Sequence, residues 1–247
     1  MVSAVDKVSK TYPKTPGNHN NGLTDLGRPV DYETNAHDLD ILEKKLVAGL
    51  DERYAEKLHG ITQRLIDVSR TEKQSINHSA MLLVASKHLI VKEKYDVKVE
   101  HDLGEGLVCD IYAKPRGRPD AKIVEIETGF AGPAYALDPN DYLRVRTASK
   151  IYRYSPHSTE FFLGTPPPNI LYIPKIFLKP RESRTAKEIR LWNNLCDRYY
   201  KEPRLNFKDT TGHIEGIYVI NVDSGEVQQM GVNDYMEKYP LMSRFPS

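Results

Sequence analysis

Apolar side chains recur at spacings of three and four from Asp38 onward, through Leu39, Leu42, Leu46, Leu50, Tyr54, Leu58, Ile61, Leu65 and Val68. That period marks a long amphipathic helix. Its stripe is expected to pack on the protein's own core, with a break near Gly60, the alternative being a partner surface. A second helical pattern covers about 74–94, through Ile76, Ala80, Leu83, Val84 and Val91. The period then falls to two. Residues 95–102 alternate, the stretch from Gly104 to Gly106 turns the chain, 107–113 reads as a strand, and 122–127 alternates again after a turn-rich run from Pro115 to Asp120. Asp138 followed by Pro139, with Asp141 in the first turn, opens a helix expected to reach about Tyr154, and 161–163 reads as a short buried strand. The order is helix, three strands, helix, strand.

Beyond the prolines at 166–168 the pattern predicts an apolar strand region near 170–178 and a helix opened by the capping box of Thr185 and Glu188, burying Ile189, Trp192, Leu195 and Tyr199. A hairpin around Asp223-Ser224-Gly225 and a short helix follow. Before all this, residues 1–36 are rich in Pro, Gly, Asn, Thr and Lys without apolar periodicity, so they read as a loose arm. The expected organisation is an arm (1–36), a helical extension (37–72), a core (73–165) and a C-terminal α+β extension (166–247).

Composition changes the picture little. Charged residues are 28% and the hydrophobic set 39%, which suits a globular chain able to bury a core over its 247 residues. A net charge of +1 requires any nucleic-acid partner to be held by a local basic patch. With Cys109 and Cys196 alone there is no disulfide framework and no cysteine-rich zinc site, so an intracellular protein is expected. No apolar run approaches the roughly 18 residues of a membrane span, and the start lacks the apolar segment of a secretory signal.

The candidate chemistry lies on the strands. Asp110 sits within an apolar strand, Leu-Val-Cys-Asp-Ile-Tyr, where an uncompensated carboxylate would be costly. On the next strand Glu125 and Glu127 share one face, because strand side chains alternate. Alternating glutamates also describe a solvated outer face, but Asp110 on the neighbouring strand favours a cluster. Three clustered carboxylates need neutralising, and hard oxygen donors suit magnesium or manganese. Glu125 and Glu127 also stand about 7 Å apart, a spacing a glycosidase could use, although no aromatic sugar platform is evident. Walker, GxGxxG, HExxH and Gly-x-Ser-x-Gly motifs are absent, which argues against nucleoside triphosphatases, dehydrogenases, zinc peptidases and serine hydrolases.

An Asp in an apolar strand, a turn, then Val124-Glu125-Ile126-Glu127-Thr128-Gly129, within the order αβββαβ, resembles the PD-(D/E)XK nuclease superfamily. The likeness covers about residues 74–164 and is greatest to divergent archaeal and archaeal-virus members and to Holliday junction resolvases. It implies a restriction-endonuclease-like α/β core, a mixed sheet flanked by helices, that hydrolyses DNA phosphodiesters with Mg2+ or Mn2+, as a homodimer in the resolvases. Asp110 and Glu125 match the family's metal ligands. Glu127 stands where the family usually has a lysine, so it would add a metal ligand, and Lys150 on the following helix is the candidate migrated lysine. The family's first-helix glutamate is also missing. Glu72, His78 and Glu100 are candidate substitutes, each weighed against a structural role.

Arg146, Lys150 and Arg153 fall on one helical face and would hold phosphates, as would Lys114, Arg116, Arg118 and Lys122 in the loop between the second and third strands. Both groups also fit solvated basic surfaces. The competing function is a DNA-binding or assembly protein that keeps the nuclease fold without catalysis.

Overall fold

The computed structural model of the protein describes residues 32–71, 74–200 and 205–239. Three helices come first: α1 (Tyr32–Val47), α2 (Glu52–Thr71) and α3 (Ile76–Val91). A meander of β1 (Tyr95–Asp102), β2 (Val108–Pro115) and β3 (Lys122–Ile126) follows, then α4 (Pro139–Tyr154) and β4 (Glu160–Thr165). The chain continues through α5 (Ala186–Cys196), β5 (Gly216–Asn221), β6 (Glu226–Gly231) and α6 (Val232–Lys238). All six strands belong to one mixed sheet in sequence order. β3, β4 and β5 run parallel, and the remaining neighbours are antiparallel. Parallel neighbours need long return connections, which α4 and α5 occupy.

The sheet has a helical layer and an apolar core on each face. On one side α1, α2 and α3 bury Leu39, Leu58, Leu65, Leu82 and Leu83 against Val99, Ile111, Val124 and Ile220. On the other, α4 buries Val145, Ala148 and Ile151 against Ile123, Leu163 and Ile217, with Phe177, Phe207 and Tyr235 closing that core. Each such aliphatic side chain contributes about 1.5–3 kcal/mol on burial. β3 is buried at every position, as a strand covered on both faces must be. The fold is α/β, and the expected order of helix, three strands, helix and strand is formed. Among the described residues no helix is long and apolar enough to cross a membrane.

Several local expectations are corrected. The amphipathic stripe does pack on the protein's own core, but it divides at 48–51, where Gly49 takes φ +76, and Gly60 lies inside α2. Helix begins at Tyr32, inside the stretch expected to be a loose arm, and the rest of that arm lies outside the described residues. Segment 170–178 forms no strand; Pro174 leads into a short 3-10 turn (Lys175–Leu178). The capping box of Thr185 and Glu188 is present, yet Ile189, Trp192 and Leu195 are only partly buried. The C-terminal segment extends the core, as expected, by adding β5 and β6 to the central sheet. Their turn needs Gly225, with φ +69 and a Cβ position 2.5 Å from Leu46 Cδ2.

Lys122 is likewise misplaced as a phosphate contact. It is 3% exposed at the start of β3, where its ammonium meets Glu93, lies 3.4 Å from Glu160 and donates to the Tyr218 hydroxyl at 3.1 Å. His88 Nε2 stands 3.5 Å from the same Glu93. Burial opposes ionisation of Glu93, but its hydrogen bonds with His88, Lys122 and Tyr218 outweigh that and hold the carboxyl down at about 2. Because the folded value lies below the ordinary 4.5, this network stabilises the fold above that pH and loses its contribution as pH falls towards 2. Glu93→Gln is therefore expected to destabilise the protein at pH 7 by more than at pH 3 in urea unfolding; an equal loss at both would contradict the assignment.

Candidate functional site

Strand register sets three acids in a row. The pairs Val99 with Ile111 and His101 with Cys109 place Glu100 across from Asp110, and Ile111 with Val124 places Asp110 across from Glu125. Carboxylates so arranged repel one another. Cations from both helical layers offset the repulsion. From α4, Lys150 Nζ reaches within 3.2 Å of Asp110 Oδ2 and 3.1 Å of Glu125 Oε2, and donates to the Ile126 carbonyl at 2.7 Å. From α3, His78 Nε2 lies 3.5 Å from Asp110 Oδ1 and 3.7 Å from Glu100 Oε1. Backbone amides complete the cluster: Ile126 N–H donates to Asp110 Oδ2 at 2.6 Å and Asp110 N–H to Glu125 Oε1 at 2.9 Å.

The sheet is irregular at this point. Glu100 takes φ +46, a region that costs a residue with a Cβ about 1–3 kcal/mol. Opposite it, Cys109 and Ile111 pack into different cores although they are two residues apart. Asp110 thus sits at a twist in β2 where side chains of α3 and α4 both reach it. Gln74 donates to Glu100 and is itself held by Ser79 at 3.0 Å.

Electrostatics follow from this packing. Burial raises the cost of ionising Asp110, but Lys150 and His78 outweigh it and keep its carboxyl well below the usual range. Burial and the Asp110 charge push Glu125 upward. Both Glu125 oxygens accept hydrogen bonds, Oε1 from the Asp110 amide and Oε2 from Lys150. Burial opposes protonation of His78, yet the Asp110 charge and the contacts with Asp110 and Glu100 lift it to about 9.

The expected trio of Asp110, Glu125 and Glu127 does not form one pocket. Glu127 is 1% exposed and lies beside Arg146, whose Nε is 2.9 Å from its Oε2 without aiming an N–H at it. Its Oε1 accepts from the Gly129 amide at 3.0 Å. Gly129 has φ +76 and no room for a Cβ, which would fall 2.1 Å from Asn169 Oδ1. Among the described residues, the group able to share a metal ion is instead His78, Glu100 and Asp110, whose ligand atoms lie within 4.8 Å of one another. One imidazole nitrogen and two carboxylate oxygens favour manganese over magnesium, because nitrogen donors suit transition metals better. Glu72 lies outside the described residues.

The basic residues divide. Lys150 and Arg146 turn inward to the carboxylates, while Arg153 lies over the Tyr154 ring at 5.4 Å. Lys114 is four residues along β2 from Asp110, about 13 Å away by strand rise. Arg116 and Arg118 are exposed at the hairpin tip, where Arg116 stands 3.6 Å from Asp96. This loop is therefore remote from the carboxylates, since an antiparallel hairpin puts its tip at the far end of both strands.

Compared with known proteins, the chain matches no family model, no curated protein and no solved structure.

Two outcomes are expected. Lys150→Met leaves Asp110 and Glu125 buried without their ammonium and should cost about 3–5 kcal/mol in urea unfolding; a loss under 1 kcal/mol would show that the contact is incidental. Manganese should raise the melting temperature of the unaltered protein but not of His78→Ala, and an equal rise in both would remove His78 from the site.

Proposed function

We propose that the protein is a metal-dependent DNA endonuclease of the PD-(D/E)XK type, with a centre made by Asp110, Glu125 and Lys150 and completed by His78 and Glu100. The observation that carries this reading is the Lys150 ammonium held between two buried carboxylates on adjacent strands. A lysine and two acids at one locus suit phosphodiester hydrolysis, where an anionic nucleophile, an anionic phosphate and a departing alkoxide must all be accommodated. The order of elements around it, helix, three strands, helix and strand, is the one this nuclease core uses.

His78, Glu100 and Asp110 would hold the divalent cation. When bound, that cation polarises the phosphoryl oxygen and lowers the pKa of a ligated water. Asp110 would offer Oδ1, because Oδ2 is taken by Lys150 and the Ile126 amide. Lys150 supplies the fixed positive charge that the missing motif lysine would have given, and directs it towards the phosphate from α4. Glu125 keeps Lys150 in place through its Oε2, while its Oε1 accepts from the Asp110 amide and ties β3 to β2. Arg146 neutralises Glu127, which here supports the loop at Gly129 and does not serve as a ligand. Branched DNA is the proposed substrate, and a two-fold dimer would bring paired centres to its strands.

The test is cleavage of supercoiled, linear and four-way-junction DNA with manganese, magnesium or chelator. Metal-dependent cutting should fall about a hundredfold or more in Asp110→Ala and in Lys150→Ala. Binding without cutting under every metal condition would overturn the catalytic reading and favour a DNA-binding or assembly role for the same fold.

A further inference from the structure

A cavity of about 490 Å3 opens between α4, the segment 171–176, α5 and α6. It is separate from the carboxylate cluster: Arg144 lines it, whereas Lys150 lies six residues on and points to a different side of α4. The two sites are nonetheless joined by one stretch of chain. Asn169 donates to the Glu127 carbonyl at 3.2 Å, and Leu171, two residues later, is already in the cavity wall.

The lining combines flat aromatic surface with positive charge. Trp192 and Tyr172 are both partly exposed, and the Arg144 guanidinium covers one side of the Tyr172 ring at 5.3 Å. The two acids of the lining are engaged. Asp141 stands 3.5 Å from Arg144 and 3.9 Å from Arg198, and Glu188 is bound by Lys179 and by the Thr185 cap. Lys175 and Lys187 at the rim are exposed and make no ion pair among the described residues. This combination fits a ligand with a planar ring and an anionic group. The volume lies within the usual range of about 300–1,000 Å3 for small-molecule sites.

We propose that the cavity receives one unpaired nucleotide of a DNA strand, its base against Trp192 and Tyr172 and its phosphate towards Lys175 and Lys187. The inference rests on the DNA-cutting reading and extends it. Stacking on an aromatic side chain needs a base free of its duplex neighbours, so the cavity would select single-stranded or branched DNA over intact duplex.

Trp192 is the chain's single tryptophan, so its fluorescence reports on this cavity directly. The full chain, with chelator present to prevent cutting, is titrated with a single-stranded oligodeoxynucleotide, the corresponding blunt duplex and inorganic phosphate. The single strand should quench Trp192 saturably, the duplex should bind at least fivefold more weakly, and phosphate alone should leave the emission unchanged. Lys175→Glu with Lys187→Glu should weaken the single-strand affinity at least fivefold, while the charge-matched pair Lys92→Glu with Lys98→Glu should stay within twofold. Absence of quenching, equal affinity for duplex, or equal losses in the two double variants would overturn the proposal. Metal-dependent cleavage without quenching would sink the cavity alone, and quenching without cleavage would sink the catalytic reading alone.

Discussion

The Lys150 ammonium, enclosed by Asp110, Glu125 and the Ile126 carbonyl, is the contact on which the rest of the centre depends. Removing an ammonium and two carboxylates from water is expensive, and their attraction repays it only when the geometry is good and the remaining lone pairs are used. Here they are used: Asp110 Oδ2 also accepts from the Ile126 amide, and Glu125 Oε1 from the Asp110 amide. One consequence is structural, since α4 is tied to β2 and β3 at the position where the ladder with β1 is irregular. The other is chemical. With Oδ2 fixed inward, Oδ1 is left facing His78, and Asp110 is shared between the Lys150 contact and the group of His78, Glu100 and Asp110 that could hold a metal ion.

A second pair repeats the arrangement one step along β3. Glu127 and Arg146 are buried together at the strand's end, and the loop that follows is closed by Gly129 and Asn169. At the other end of β3, Lys122 is enclosed by Glu93, Glu160 and Tyr218. Three buried ion-pair groups along one strand explain how a segment that reads Lys-Ile-Val-Glu-Ile-Glu can lie at the centre of a sheet. Each charge meets a partner supplied by another element.

Most of the fold was legible because it depends on period. The alternation of 95–102 and 122–127 and the three-four spacing of α2 and α3 are local signals, and the sheet follows from them. The site was legible in part. Asp110 and Glu125 stood out as acids in apolar strands, and Lys150 as a cation on the right helix. Three features are set by packing across elements. Glu127 and Lys122 look like a ligand and a phosphate contact until Arg146 and Glu93 are seen beside them. His78 and Glu100 were already candidates for the missing helix glutamate, but only register and the unusual backbone at Glu100 bring both to Asp110. Ile189, Trp192 and Leu195 have a core-like spacing, yet they are only partly buried; Trp192 and Leu195 line a cavity, because segment 171–176 turns at Pro174 and leaves the space open.

Anomalous diffraction at the manganese edge, from crystals of the protein grown with Mn2+, tests the central claim most directly. The account predicts a manganese peak bonded to His78 Nε2, Glu100 and Asp110 Oδ1, with Lys150 still bridging Asp110 Oδ2 and Glu125. Manganese held by Glu125 and Glu127 with His78 turned away, or no manganese at the cluster, would contradict it.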